Sequence, residues 1–261
     1  MSKTKKNLLR VLLVISLVSA SWSGWTVWNT ALRAPSFNRL PVPQQLIAGD
    51  SATGQQLFVG SGYTADYDPL MAHFVAQVRP AFCGVASSVV VLNALPARPA
   101  MPAMPAMNGM PTAQLTQQSF FDDAASQVRN EWRVTFGGMT LAQLRDLLNS
   151  HGANATATYA SDSTLEAFRE LAKTNLATPG DYLLVNYQRG ALGQRPTGHI
   201  SPLAAYNSAS DRFLILDVAA YKYPPVWVKA QDLWAGMNTI DPSAGRTRGF
   251  VVVNGSKAMA K

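Results

Sequence analysis

The sequence predicts a single α+β domain in which a helical first half precedes a strand-rich second half. Of the 261 residues, 48% are hydrophobic and 14% are charged, which is enough apolar material for a core and excludes a disordered chain. Segments with helical periodicity occupy residues 83–174, and short β-rich runs separated by turn residues occupy residues 181–253. Helices followed by strands are typical of the α+β class.

The first 32 residues have the pattern of a signal peptide or a membrane anchor. Three lysines precede an apolar stretch and then a group of small residues, which is the order of a secretory signal. Residues 11–32 contain no charge, so an uncleaved anchor is the alternative. In both cases the lysines stay inside, and we expect the body to be exported, either to the periplasm or held on the outer side of a membrane by a tether.

The rest of the chain divides into a linker, a body and a tail. Residues 33–53 are rich in proline and serine and predict a linker, residues 54–254 form the predicted body, and residues 255–261 are a tail. Residues 101–111 are a low-complexity insert of Met, Pro and Ala. A flexible loop is favoured for this insert, with binding of a soft ion such as Cu(I) as the alternative.

Composition excludes several classes of protein. The net charge of +7 comes largely from the leader, and the body has no run of Lys and Arg, so nucleic acid is not an expected partner. A single cysteine excludes a disulfide framework, a zinc ribbon and a CxxC redox motif.

The helices and strands follow from spacing and capping signals. Residues 57–59 predict a short strand or the entry to a loop. The predicted helices cover residues 83–95, 119–128, 140–148 and 164–174, with Thr140 and Ser163 or Thr164 as caps. The predicted strands cover residues 181–187, 199–206, 212–218, 226–229 and 249–253.

The only cysteine, Cys83, stands at the start of a predicted helix. The positive end of the helix dipole favours a thiolate there, although a lone cysteine is more often a small buried apolar residue. A nucleophile also needs a base, and the candidates are His73, His151 and His199.

His199 is distinguished by the hairpin that it opens. With the turn centred at Ala209, His199 faces position 219, and Asp217 is a diagonal neighbour on the same face within about 8 Å. A carboxylate beside an imidazole fixes its tautomer and stabilises the imidazolium. Gln77, six residues before Cys83, supplies an amide that can join the backbone N–H of Cys83 in holding an oxyanion.

The order Gln, Cys, His, Asp is that of papain-like enzymes, and the wider sequence resembles the phytochelatin synthase family. The motifs that carry the resemblance are QVRPAFCGVAS (77–87), VLNAL (91–95), GHISP (198–202), LDV (216–218) and KYPPVWV (222–228). The likeness extends from about residue 54 to residue 253.

The resemblance implies a papain-like cysteine proteinase fold and a γ-glutamylcysteine dipeptidyl transferase that acts on glutathione. It implies that Cys83 is the nucleophile, His199 the general base and acid, Asp217 the orienting acid and Gln77 the oxyanion donor. Alternatives are a papain-like peptidase that acts on other peptides and a non-catalytic module that binds glutathione or metal.

Glutathione carries two carboxylates, so a binding site needs cations. Arg248 is the first candidate for binding the substrate, followed by Tyr223 and Lys222. The resemblance also implies metal thiolates of glutathione as partners, activation by Cd or Zn, and a homodimer. The Cys-rich extension of eukaryotic members is lacking after Val253, which resembles short prokaryotic members that favour glutathione hydrolysis and puts metal activation in doubt.

Overall fold

The computed structural model describes residues 3–96 and 114–254. The insert at residues 101–111 and the tail at residues 255–261 lie outside the described residues. The α-helices are α1 (Lys3–Val27), α2 (Ala52–Val59), α3 (Tyr67–Ala72), α4 (Cys83–Ala94), α5 (Asp123–Val128), α6 (Glu131–Gly137), α7 (Leu141–Ser150), α8 (Leu165–Ala177) and α9 (Ala230–Met237). The strands are β1 (Ile47–Ala48), β2 (Asn154–Tyr159), β3 (Asp181–Gln188), β4 (Gly198–Asn207), β5 (Arg212–Ile215), β6 (Val226–Lys229), β7 (Ile240–Asp241), β8 (Arg246–Thr247) and β9 (Gly249–Asn254).

The centre of the fold is an antiparallel sheet of seven strands in the order β1-β6-β5-β4-β3-β9-β2. Its two middle strands, β3 and β4, are buried along nearly their whole length. Continuous apolar sequence in these strands, rather than strict alternation, is the pattern of a strand that is covered on both faces. The mixed α+β class predicted from the sequence is confirmed.

The two faces of the sheet are covered by different helices, which form two apolar clusters. One cluster joins α4 and α7 to side chains such as Leu184 and Ile200. The other joins α8 and α9 to their sequence neighbours, such as Leu183 and Val185. Because successive side chains of a strand point to opposite faces, the same strands contribute to both clusters. The order of the predicted elements suggested a helical half facing a sheet half. In the structure, helices cover both faces of the sheet instead.

Helix α4 carries Cys83 and is enclosed by the first of these clusters. Nine of its residues are buried, because valine, alanine and serine occur on all sides of the helix. It packs on β4, where the Ser87 hydroxyl donates to the carbonyl of Ile200 at 3.1 Å. This contact fixes the start of the helix beside the start of the strand.

The hairpin formed by β4 and β5 is centred between Ala209 and Ser210 rather than at Ala209, and the predicted register holds only beyond a bulge, where Leu203 faces Ile215. Asn207 faces Arg212, and the pairing shifts by one residue at a bulge between Leu203 and Ala205. Strand β5 then ends at Ile215, earlier than predicted, and the chain continues as an irregular segment. The amide of Leu216 still donates to Pro202 at 3.0 Å, so the segment that carries Asp217 stays beside β4.

Several predicted elements differ from those in the structure. Residues 57–59 belong to a helix, α2, because Ser51 caps it by accepting from the N–H of Gly54. The helix predicted from residue 119 starts only at Asp123, because the carboxylate of Asp122 caps it. Helices α6 and α9 and strand β2 were not predicted.

The N-terminal segment forms a helix, α1, that continues as a π-helical turn over Trp28–Leu32. No helix in residues 3–96 or 114–254 combines the length and the apolar character that crossing a membrane requires. Part of the predicted linker packs on the body, because Leu46 is buried and β1 pairs with β6.

Candidate active site

Cys83 is the first residue of α4, and its thiol lies against strand β4. The backbone of Ile200 and of Gly84 acts to lower the pKa of the thiol, and the side chain is partly buried. Ile200 directly follows His199 in the strand. Packing of α4 on β4 therefore places Cys83 near the strand that carries His199, 116 positions later in the sequence, although no hydrogen bond joins the two side chains within the described residues.

His199 is buried beside an acid, as the hairpin predicted. Its Nε2 lies 2.9 Å from Oδ1 of Asp217, and the hydroxyl of Ser201 lies 3.0 Å from the same nitrogen. The ring packs edge-to-face with Tyr187 at a centroid distance of 5.7 Å. The two polar contacts are both made at Nε2. They fix the orientation of the imidazole and leave Nδ1 on the other side of the ring.

Asp217 is fully buried and is held by three donors at one oxygen. Besides His199, its Oδ1 accepts from the guanidinium of Arg189 at 2.7 Å and from the backbone N–H of Ala219 at 2.9 Å. Arg189 is itself only 1% exposed and also donates to Gln194. The acid thus belongs to a buried ion pair as well as to the imidazole contact.

Arg189 is a site residue that the sequence did not reveal. It follows the last residue of β3, and its guanidinium lies over the ring of Tyr223 at 5.2 Å. Only its position after a buried strand could have drawn attention to it, because a basic residue there needs an acid or a solvent path. The same holds for Ser201, whose place between His199 and the bulge gave no separate signal.

The charges of this group set the ionisation of the site. Burial alone would raise the pKa of Asp217, but Arg189 and His199 hold that pKa well below its usual value. Burial and the nearby Arg189 lower the pKa of His199 to about 4, although Asp217 opposes this. Burial raises the pKa of the Cys83 thiol and outweighs the two backbone groups and Arg189. Burial therefore favours a neutral thiol and a neutral imidazole, and it opposes the helix dipole, which favours a thiolate.

Gln77 lies beside the same group. Its backbone N–H donates to the carbonyl of Val218 at 2.8 Å, next to Asp217. Its side-chain Nε2 donates to the carbonyls of Arg79 and Pro80, both at 2.8 Å. The amide is therefore placed near the site, but its hydrogens are engaged by backbone carbonyls.

A cavity of about 290 Å³ opens beside these residues, a size suited to a small molecule. His199 and Gln77 line it together with three cationic side chains, Arg189, Arg195 and Lys222. Cys83 is not among the lining residues. Burial and the charges of Arg189 and Arg195 lower the pKa of Lys222, which shows that positive charge is crowded here. The cavity is suited to an anionic ligand.

The three candidates for substrate binding occupy different positions. Lys222 lines the cavity. Tyr223 is buried, and its hydroxyl accepts from the backbone N–H of Arg195 at 3.1 Å, so it supports the wall rather than facing the ligand. Arg248 is buried, donates to Asn186 at 3.1 Å, and lies 3.5 Å from Asp241; it occupies the space that a Cβ at Gly198 would take, and it does not itself line the cavity.

The described residues contain no set of side chains that matches a site for Cd or Zn. Across residues 3–96 and 114–254, no group of three or more His, Cys, Asp and Glu side chains is arranged to hold a metal ion. Activation by Cd or Zn therefore stays a prediction, and no chemical step below depends on it.

Comparison with known proteins places the chain in a family. The family model described as phytochelatin synthase matches residues 37–250. Glutathione gamma-glutamylcysteinyltransferase 1 of Lotus japonicus is 34% identical over 207 residues, which cover 78% of this chain and 39% of the relative. The enzyme of the same name from Arabidopsis thaliana is 34% identical over 222 residues, covering 82% of this chain and 43% of the relative.

A fungal relative extends the comparison. Glutathione gamma-glutamylcysteinyltransferase of Schizosaccharomyces pombe is 27% identical over 224 residues, covering 84% of this chain and 51% of the relative. The chain thus spans between about two fifths and one half of the length of these relatives. The family match covers most of the chain, including all the residues of the candidate site. This chain belongs to the phytochelatin synthase family.

Proposed function

We propose that the chain is a cysteine acyl-transfer enzyme that cleaves the Cys–Gly amide of glutathione through a γ-Glu-Cys thioester on Cys83. The observation that supports this most strongly is a histidine fixed by a buried carboxylate, in the strand on which the helix that begins at Cys83 packs. Membership of the family and the cationic cavity agree with it.

Acylation begins from the neutral pair. Because Nε2 of His199 faces Asp217, Nδ1 is the nitrogen that takes the proton of the Cys83 thiol as the sulfur attacks the cysteine carbonyl of glutathione. The new C–S bond forms a tetrahedral oxyanion, for which the backbone N–H of Cys83 is one donor. The C–N bond then breaks, and His199 gives its proton to the amine of the departing glycine.

Gln77 is the second proposed oxyanion donor. To act in this way its Nε2 must exchange one of its carbonyl partners, Arg79 or Pro80, for the oxyanion. That exchange is favourable only when the oxyanion carries charge, so the contact would strengthen in the transition state.

The thioester has two fates. Water attacks it with His199 as base, which releases γ-Glu-Cys, or the amine of a second glutathione attacks it, which lengthens the peptide by one γ-Glu-Cys unit. Both reactions restore the Cys83 thiol. The second corresponds to phytochelatin synthesis and to a role in metal detoxification, with metal thiolates of glutathione as further substrates.

The cationic cavity is the proposed site for glutathione carboxylates. Lys222 and Arg195 line it, and Arg248 lies next to Gly198, which also lines it. Tyr223 acts by holding the backbone of Arg195. We also propose export of the body, a papain-like fold and a homodimer, which the family resemblance supports.

Release of glycine tests this function. The wild-type chain is incubated with glutathione, and free glycine, γ-Glu-Cys and longer peptides are separated by chromatography. We expect glycine release by the wild type and none by Cys83→Ala, with Cys83→Ser as an isosteric control of folding. Cleavage of unrelated peptides while glutathione stays intact would indicate a general peptidase. Binding of glutathione without turnover would indicate a non-catalytic module.

A further inference from the structure

Asp66, the residue before α3, is a buried acid that the proposed reaction does not use. Its side chain is 0% exposed, and neither of its carboxylate oxygens has a hydrogen-bond partner within the described residues. Burial and the nearby carboxylate of Asp181 raise its pKa to about 8. A carboxyl group buried in this way is costly unless a proton or a cation neutralises it.

Two other side chains with oxygen donors lie near Asp66 in the fold, although Asp66 itself does not line the cavity that they share. The N–H of Ala65 donates to the carbonyl of Leu176 at 3.0 Å, which holds the residue before Asp66 against the end of α8. Asn175 precedes Leu176, is 6% exposed, and has a buried Oδ1 that finds no partner in the described part of the chain. Asn175 and Asp181 both line one cavity of about 460 Å³.

The surroundings of this group are negative. Helices α4 and α8 both end here, and the hydroxyl of Tyr182 donates to the carbonyl of Ala94, the last residue of α4, at 2.7 Å. The C-terminal ends of helices carry partial negative charge. Lys173 of α8 is engaged with Glu170 at 2.9 Å, and Asp66 and Asp181 form no salt bridge within residues 3–96 and 114–254.

We propose that Asp66, Asn175 and Asp181 form a binding site for a hard divalent cation such as Ca²⁺. Carboxylate and amide oxygens are the donors that Ca²⁺ prefers, and it accepts six to eight oxygens in flexible geometry, with water completing the shell. Two carboxylates and one amide are a modest set, so the expected affinity is in the range of about 0.1–1 mM.

The site is independent of the proposed reaction. Cys83 lies at the opposite end of α4, a helix of 12 residues, which places the two sites about 18 Å apart along its axis. A bound cation would connect the residue before α3, the end of α8 and the start of β3. Its effect would therefore be on stability rather than on the thiol.

Thermal unfolding of the full chain tests the site. The melting temperature is measured in CaCl₂, in MgCl₂ and in NaCl at equal ionic strength. We expect a rise with CaCl₂ that saturates at millimolar concentration, and loss of that rise in Asp66→Asn. Asp68→Asn, which removes an exposed acid two residues away, should keep it. No rise in the wild type, or an equal rise in Asp66→Asn, would overturn the proposal.

A direct binding measurement serves if Asp66→Asn does not fold. Tb³⁺ replaces Ca²⁺ at oxygen sites, and its luminescence, excited through Tyr182, reports binding near that ring. Excess CaCl₂ should suppress the signal, Asp181→Asn should weaken binding, and Asn175→Asp should tighten it by adding a carboxylate. A signal that Asp181→Asn and Asn175→Asp both leave unchanged would contradict the site.

Discussion

At the scale of single residues, the main feature is a buried network in which Arg189 and His199 both contact the carboxylate of Asp217. Arg189 and His199 share Oδ1 of Asp217, so the acid is ionised by an arginine as much as by the imidazole. The imidazole does not need to be protonated to satisfy the carboxylate. Burial therefore favours the neutral form of both His199 and Cys83.

The neutral pair predicts a slowly reacting thiol. Since the pKa of Cys83 is raised and that of His199 is lowered to about 4, alkylation by iodoacetamide should be slow from pH 5 to 8 and increase only above pH 9. The chain has one cysteine, so mass spectrometry reports this thiol alone. The urea-unfolded chain is the control and should react at an ordinary thiol pKa. A fast rate that is constant from pH 5 to 8 would show a preformed thiolate–imidazolium pair instead.

Arg189 should be as important for stability as for the site. Replacing it in Arg189→Met leaves the Asp217 carboxylate buried without its cation, which costs about 3–5 kcal/mol. The control is Arg39→Met, whose partner Asp50 is exposed, and a change of at most about 1 kcal/mol is expected there. Urea unfolding measures both. Equal effects of the two variants would mean that the buried pair contributes no more than a surface pair.

At the scale of elements, the sequence predicted those that carry their own local signals. Thr140 and Gln143 form a reciprocal capping box at the start of α7, and Thr164 caps α8. Strands β3, β4 and β6 were found because their apolar runs are bounded by turn residues. Strand β2 contains alanine and threonine and was missed, because it is defined by its pairing with β9 rather than by apolar side chains.

The capping box of α7 predicts a measurable contribution to stability. Thr140→Ala removes the oxygen that accepts from the N–H of Gln143 at 3.3 Å, and it should lower the free energy of unfolding by about 1 kcal/mol. The control Thr174→Ala removes an exposed hydroxyl within α8 and should change it by less than about 0.5 kcal/mol. A neutral Thr140→Ala would show that packing alone fixes the start of α7.

At the scale of the whole molecule, the candidate site forms where three separate segments meet. Helix α4 supplies Cys83, strand β4 supplies His199, and the irregular segment after β5 supplies Asp217. The Cys, His and Asp were predictable because each type has a known role and the hairpin links two of them. Arg189 was not, because its partner is set by tertiary contacts at the end of β3.

The thioester on Cys83 is the central claim, and mass spectrometry of the peptides of the chain tests it most directly. The protein is mixed briefly with glutathione, quenched in acid and digested. The account predicts a γ-Glu-Cys group on the peptide that contains Cys83, stable to a phosphine reducing agent, which contains no thiol, and removed by hydroxylamine. A whole glutathione on that peptide, released by reducing agent, with no thioester at any time point, would contradict it.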